Sequence, residues 1–243
     1  MTGIKSLLAL ITGLLLLLPA GLAAQVPDSL ILSFVADPDD EGISFYWQDS
    51  TGRNYSNFGL LRAALQAEGR ELVFAMNGGM FKRDASPQGL YVEAGNLMHP
   101  LDEKEGGYGN FYMQPNGVFY LSREGKGYVV PTSDFVLDST VWYATQSGPM
   151  LLIEGKRHKK FTNGSTNLNI RNGVGILPDG RLLFAMSKEP VNFFDFAGYF
   201  LSKGCKNALY LDGAVSRTYL PAQNWEQIDG IFGVIIGLSR ELK

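Results

Sequence analysis

One apolar run of this chain ends in a carboxylate. Ala208-Leu209-Tyr210-Leu211 leads straight into Asp212-Gly213, and the pattern resumes through Ser216, Arg217, Thr218 and Tyr219. Burying an unpaired carboxylate costs roughly several kcal/mol unless a partner compensates, so an acid where a strand meets a loop suits chemistry better than packing. The plainer reading of the same residues is an Asp-Gly turn. A second run, Phe74-Ala75-Met76, ends in Asn77-Gly78-Gly79, whose glycines let the backbone turn with N–H groups free to face an anion. No Gly-Lys-Ser/Thr follows, so this is not a nucleotide-binding loop. Glu93 closes Gln88-Gly89-Leu90-Tyr91-Val92-Glu93, either as an acid whose pKa an apolar pocket raises or as a solvated strand end. In Gln146-Ser147-Gly148-Pro149 the polar side chains suit hydrogen bonding to a ligand. Ser147 lacks the glycine-flanked elbow of a serine hydrolase. Arg171-Asn172-Gly173 places a guanidinium fork where it grips a phosphate or carboxylate, or else ties Asp212 or Glu93 into an ion pair.

Strands must position these groups. Short β-branched and aromatic runs predict strands over residues 30–35, 43–47, 71–76, 90–93, 110–114, 117–121, 141–146, 150–153, 208–211 and 231–236. Pro115-Asn116-Gly117 predicts a hairpin between two of them, and Pro178-Asp179-Gly180 joins runs 173–177 and 181–186 in the same way. Two segments read as helices. Residues 55–68 carry Phe58, Leu61 and Leu65 on one face with Gly69 as the stop. The other starts near Pro190, carries Phe194, Ala197 and Leu201, and stops at Gly204. Strands and helices do not alternate regularly, so the expected class is α+β: one strand-rich domain, residues 25–243, with mixed or antiparallel sheets and a few packed helices.

Residues 1–24 are expected to leave as a signal peptide: Lys5 precedes an apolar run over residues 7–18, Pro19 breaks it, and Ala23-Ala24 end it. The mature protein is then periplasmic or secreted, with no stable membrane anchor. With 29 glycines, 12% aromatic and 45% hydrophobic residues, the remainder has a sizeable core and many turns. A net charge of −3 gives no electrostatic footprint for nucleic acid. Cys205 is the only cysteine, so no internal disulfide forms, and it reads as a small packed hydrophobe near a helix end. Lys156-Arg157-His158-Lys159-Lys160 reads as a solvated hairpin tip. Two scattered histidines do not make a metal site. No cofactor is required, and a carboxylate-held divalent cation stays open.

In order and spacing, NGGMF (77–81), GLYVEAG (89–95), NFYMQPNGVFYL (110–121), TQSGPML (145–151), RNGVGILPDG (171–180) and YLDGAVSRTYLP (210–221) resemble the phosphodiester glycosidase family, in particular its exported bacterial branch. That family includes the enzyme that uncovers mannose phosphate by removing N-acetylglucosamine from its phosphodiester. The resemblance implies hydrolysis of a sugar-1-phosphodiester at the anomeric C–O bond, on an envelope or exopolysaccharide-type phosphorylated glycan. It implies Arg171 and the amides of Asn77, Gly78 and Gly79 on the phosphate, Asp212 as base or transition-state stabiliser, and Glu93 as acid. Gln146, Ser147, Gly148, Asn172, Gly213 and Ser216 would contact the sugar. Where many relatives carry Leu-Asp-Gly-Gly-Gly-Ser, this chain has Ala214-Val215 after Gly213, which changes how closely a substrate approaches. A non-catalytic glycan- or cell-wall-binding envelope protein is the alternative from another class, and a serine hydrolase at Ser147 or Ser216 is a third.

Overall fold

A computed structural model of the protein describes residues 26–212 and 215–242. Three sheets carry it. A six-stranded sheet runs in the order Ile31–Ala36, Leu182–Ser187, Asn172–Ile176, Ala208–Tyr210, Met150–Ile153, Lys156–Arg157. A five-stranded sheet, the Asn77 sheet, runs Trp225–Glu226, Thr218–Leu220, Arg70–Asn77, Ile235–Glu241, Ile43–Tyr46. The other, the Ser147 sheet, runs Asn96–His99, Tyr91–Glu93, Val141–Ser147, Gly117–Ser122, Gly127–Pro131. Every pairing among the described residues is antiparallel. The described residues hold just two α-helices, so the molecule is richer in strand than the α+β expectation.

The inner faces of all three sheets meet in one core. Phe74 of the Asn77 sheet lies 5.2 Å from Phe184 of the six-stranded sheet, and Phe184 meets Phe119 of the Ser147 sheet edge-on at 5.9 Å. All three rings are buried, so one aromatic junction fixes the three sheets against each other. Two of the outer faces are covered by helices. Helix Phe58–Ala67 buries Phe58, Leu61 and Leu65 against Leu72, Ala75 and Ile235. Helix Phe193–Ser202 buries Phe196 and Phe200 against Leu152, Ala185 and Ala208. Asn57 and Asn192 cap these helices through their side chains, accepting from the N–H of Leu60 and Asp195. Gly69 and Gly204 take φ of +73° and +83° just beyond the C-termini, the left-handed stop expected of them.

A bulge sets which side chains of Arg70–Asn77 face inward. Leu238 pairs with Phe74 but Ser239 pairs with Leu72, which leaves Val73 as the additional residue. Leu72 and Ala75, three apart, therefore share the helix-facing side, while Phe74 and Met76 enter the central core.

Four expectations are corrected. Residues 110–114 are not a strand: Asn110–Tyr112 is a 3-10 turn that drives Phe111 into the interior, where the Asn116 side chain donates to its carbonyl at 3.0 Å. The Pro115-Asn116-Gly117 hairpin is accordingly absent. The last strand starts at Ile235 rather than 231, because Phe232 N–H is bound to Ser56 O (2.7 Å) outside the sheet and Ile231 is exposed. The basic run is no hairpin tip. The turn falls at Glu154-Gly155, both at positive φ, Lys156–Arg157 is the return strand, and His158 is buried with Nε2 on Gln114 O. Cys205 is buried, with its thiol pushed up to about 12 by burial, as a small packed hydrophobe requires.

Candidate active site

Strand ends from all three sheets converge on one polar cluster. Asn77 ends Arg70–Asn77, Ser147 ends Val141–Ser147, Asn172 opens Asn172–Ile176, and Asp212 lies two residues past Ala208–Tyr210. All four are buried, as is Ser216. Antiparallel pairing forces part of this meeting: Gly173 faces Tyr210 in register, so Asn172 and Asp212 leave the six-stranded sheet at the same edge.

Hydrogen bonds lock the cluster. Asn77 Nδ2 donates to the Asp212 carboxylate at 3.0 Å. Asn172 Oδ1 accepts from Asp212 N–H at 2.9 Å, while Asn172 Nδ2 donates to both Asn77 O and Oδ1 at 2.9 Å. Asn77 Oδ1 accepts in addition from Arg217 N–H at 2.9 Å. The Ser216 hydroxyl donates to Asp212 O at 2.7 Å, and the Ser147 hydroxyl donates to Leu211 O. Two amides and two hydroxyls thus hold the backbone and carboxylate of residues 211–212 in one orientation, the preorganisation a charged reacting group needs. Gly79 keeps this junction tight: a Cβ there would stand 2.5 Å from Thr145 Oγ1.

Asp212 opens onto a cleft of about 430 Å³ lined also by Met80, Lys82, Arg83, Gln88, Tyr108 and Tyr112. Its lining carries two cations, Lys82 and Arg83, and two tyrosines, Tyr108 and Tyr112. Lys82 Nζ contacts His99 Nε2 at 2.9 Å, and neither Lys82 nor Arg83 forms an ion pair among the described residues. Residues 82, 83 and 108 escape a reading of single phrases because each sits in a loop, and Tyr112 because it lies in a 3-10 turn where the sequence pattern predicts a strand. The one signal for Lys82-Arg83 is its position directly after Asn77-Gly78-Gly79-Met80-Phe81.

The remaining expected site residues lie elsewhere or are committed to the protein. Gly78 N–H donates to Val234 O at 2.8 Å, so that amide is not offered to an anion. Gly148 sits against the Phe111 carbonyl with no room for a side chain. Gln146 is a clasp: Oε1 accepts from Leu90 and Asp102 N–H at 3.0 and 2.9 Å, and Nε2 donates to Asp102 O and Thr132 Oγ1 at 2.8 and 3.2 Å. Glu93 does not line the cleft. It accepts from the Tyr91 hydroxyl, and burial raises its pKa against that bond and one from the Trp47 N–H. Arg171, 1% exposed, stacks on Phe193 at 3.6 Å and donates to Val191 O (2.8 Å) and Asn167 O (2.9 Å), with the Tyr210 hydroxyl at 3.5 Å. Its guanidinium pairs with neither Asp212 nor Glu93. Gly213 lies outside the described residues. No group of three or more His, Cys, Asp or Glu side chains among the described residues is arranged to hold a metal ion.

The chain is 34% identical over 199 residues to the uncharacterised Escherichia coli (strain K12) protein YigE, covering 82% of this chain and 77% of that one. Its fold is similar to the zebrafish N-acetylglucosamine-1-phosphodiester alpha-N-acetylglucosaminidase catalytic domain auto-inhibited by its pro-peptide. That match has TM-score 0.56 and 15% identity, covering 89% of this chain and 86% of that one. A hypothetical protein from Synechocystis matches with TM-score 0.55 and 13% identity, over 86% of this chain and 59% of the other. A family model, phosphodiester glycosidase, matches residues 70–231, a span that runs from the strand carrying Asn77 through Arg83, Tyr108, Ser147, Asn172 and Asp212. The chain belongs to the phosphodiester glycosidase family.

Proposed function

We propose that this protein is an exported hydrolase of a sugar-1-phosphodiester, acting on a phosphorylated glycan of the envelope or exopolysaccharide type. The observation that carries the reading is the Asp212 carboxylate, fixed by the Asn77 amide at the floor of a cleft whose rim bears Lys82 and Arg83. A carboxylate there suits the cationic character a sugar ring gains as its anomeric C–O bond breaks. The two cations suit the phosphate monoester that departs. The phosphate monoester released from such a diester is already a good leaving group, so the reaction needs no strong general acid, and Glu93, which does not line the cleft, supplies none. Asp212 acts either on the sugar directly or through a water that it deprotonates. Asn77 and Asn172 orient it, and Ser216 and Ser147 hold its backbone. Export through residues 1–24 belongs to the same proposal.

The test is sugar release by purified mature protein from a panel of sugar-1-phosphodiesters, wild type beside Asp212→Asn, with and without chelator. Release that falls about 10²–10⁴-fold in the variant supports the reading. Loss of release on chelation assigns a divalent cation to the site. Binding of a glycan without release from any member of the panel moves the assignment to a non-catalytic glycan-binding protein.

A further inference from the structure

The cleft over Asp212 has one wall unlike the rest. Tyr108 lines it and yet is fully exposed, 101% of its reference area, so its ring touches almost nothing in the protein. It sits in the sequence Glu103-Lys104-Glu105-Gly106-Gly107-Tyr108-Gly109, where Gly106 and Gly109 both hold positive φ, +78° and +95°. Their left-handed geometry is open to glycine at little cost. Gly107 lies flat on Tyr112: a Cβ there would come within 2.3 Å of the ring. Both ends of the segment are fastened. At one end the buried Gln146 amide holds both the N–H and the carbonyl of Asp102, and the Tyr112 hydroxyl donates to the Asp102 carboxylate at 2.9 Å. At the other, Asn110–Tyr112 is pinned through Phe111, which is buried and held by Asn116. Between these clasps the only hydrogen bond among the described residues is from Lys104 N–H back to Asp102.

We propose that residues 103–109 are a lid, and that Tyr108 is the residue it lays on the sugar ring in the cleft above Asp212. The proposal rests on the functional reading above for its ligand, a hexose carrying an anomeric phosphodiester. The chemistry of the position fits such a ring. An aromatic face covers the apolar C–H surface of a sugar, while Lys82 and Arg83, which line the same cleft, take the charge. A ring exposed in the free protein gains contact area only when a ligand arrives, and Gly106 and Gly109, on either side of Gly107-Tyr108, let it swing without disturbing the clasps. Gln146 then serves as the anchor of the lid, a positioning residue rather than a sugar contact.

Tyr108→Ala and Tyr108→Trp test this in the mature protein, because a side chain without packing partners contributes little to folding. Two readouts are taken on the sugar-1-phosphodiester panel: kinetics, and hydrogen exchange of residues 103–109 with and without the panel compounds. The expected result is slower exchange over 103–109 on binding. With it, KM rises tenfold or more in Tyr108→Ala with kcat within threefold, and returns toward wild type in Tyr108→Trp. Turnover by the wild type with an unchanged KM in Tyr108→Ala overturns the lid and leaves the hydrolase reading standing. Binding with protection of 103–109, lost in Tyr108→Ala but without turnover, keeps the lid and removes the hydrolase. No protection and no turnover with any compound overturns both.

Discussion

The Asn77 amide donates to the Asp212 carboxylate at 3.0 Å across 135 residues of sequence, and Asn172 braces both partners. The three side chains come from strand ends of two sheets, so the carboxylate orientation depends on how those sheets pack rather than on any local turn. This is why the Phe74–Phe184–Phe119 junction matters to function: it sets the positions of the strands that end at the site.

Asn77→Asp replaces the donor with a second carboxylate about 3 Å from the first. Two such groups cannot both ionise cheaply, so one holds its proton with a raised pKa. A carboxyl raised above its unfolded value stabilises the fold at low pH and loses that contribution as pH rises. The variant should melt near wild type at pH 4. By pH 8 it should fall behind by about 2 kcal/mol, roughly 4–8 °C for a chain of this size. A pH-independent deficit would contradict the proposed contact.

Asn172→Ala removes the bonds to Asn77 and to Asp212 N–H inside a region shielded from water. Each orphaned buried group costs about 1–3 kcal/mol. Because Asn172 holds Asp212 and not the substrate, kcat should fall tenfold or more while KM changes little. A variant with full kcat and a lowered melting temperature would reduce Asn172 to a structural brace.

Much of this site was legible in the sequence, and the failures have physical causes. Asn77, Ser147 and Asn172 end or open a strand, and Asp212 and Ser216 lie within two residues of one, each beside glycine or another polar residue, a pattern local enough to see in one dimension, and the fold brings all five together. Gln146 and Ser147 look alike in sequence, yet strand alternation places them on opposite faces: Ser147 reaches Leu211, while Gln146 reaches Asp102 on the other side. Arg171 precedes Asn172 for the same reason and points into Phe193 and Tyr210 rather than into the cleft. The rim residues Lys82, Arg83 and Tyr108 stand in loops with no periodicity, so only tertiary structure reveals them. Residues 110–114 read as a strand because Phe111 and Tyr112 are good strand formers. Burial of Phe111 beside Asn116 outweighs that propensity.

His158 gives the fold a pH dependence on the acid side. Burial lowers its pKa, the Lys160 N–H donates to Nδ1 at 3.2 Å, and Nε2 sits on Gln114 O at 3.0 Å, which defines a neutral ring. Below the usual value of 6.5 the unfolded chain binds a proton that the native ring resists, so stability falls as pH drops through that region. His158→Gln should flatten the melting curve between pH 7.5 and 5.5. An identical slope in wild type and variant would assign the acid sensitivity to other groups.

Lys82→Gln and Arg83→Gln separate charge from shape at the cleft rim. Both side chains are exposed, so melting temperatures should stay within about 2 °C. If they meet the phosphodiester, each should raise KM roughly three- to tenfold at low salt, and the difference should shrink as salt screens the rim. A double variant with wild-type KM at low salt would remove these cations from substrate binding.

Arg171 offers a sharp contrast between a ligand role and a framework role. As a phosphate grip, its replacement would raise KM tenfold or more and leave stability alone. The structure gives the opposite expectation. Its guanidinium holds Val191 O and Asn167 O, stacks on Phe193, and keeps the chain at 167–170 beside the strand that opens with Asn172. Lysine replaces the planar fork with one compact ammonium and methionine supplies no donor, so both variants lose the fork's bonds to Val191 O and Asn167 O and its stacking on Phe193. Arg171→Lys and Arg171→Met should therefore each lose about 3 kcal/mol, with methionine no worse than lysine, because an unpaired buried cation gains nothing from keeping its charge. KM should stay within twofold in whatever fraction remains folded. A raised KM at unchanged melting temperature would return Arg171 to the phosphate.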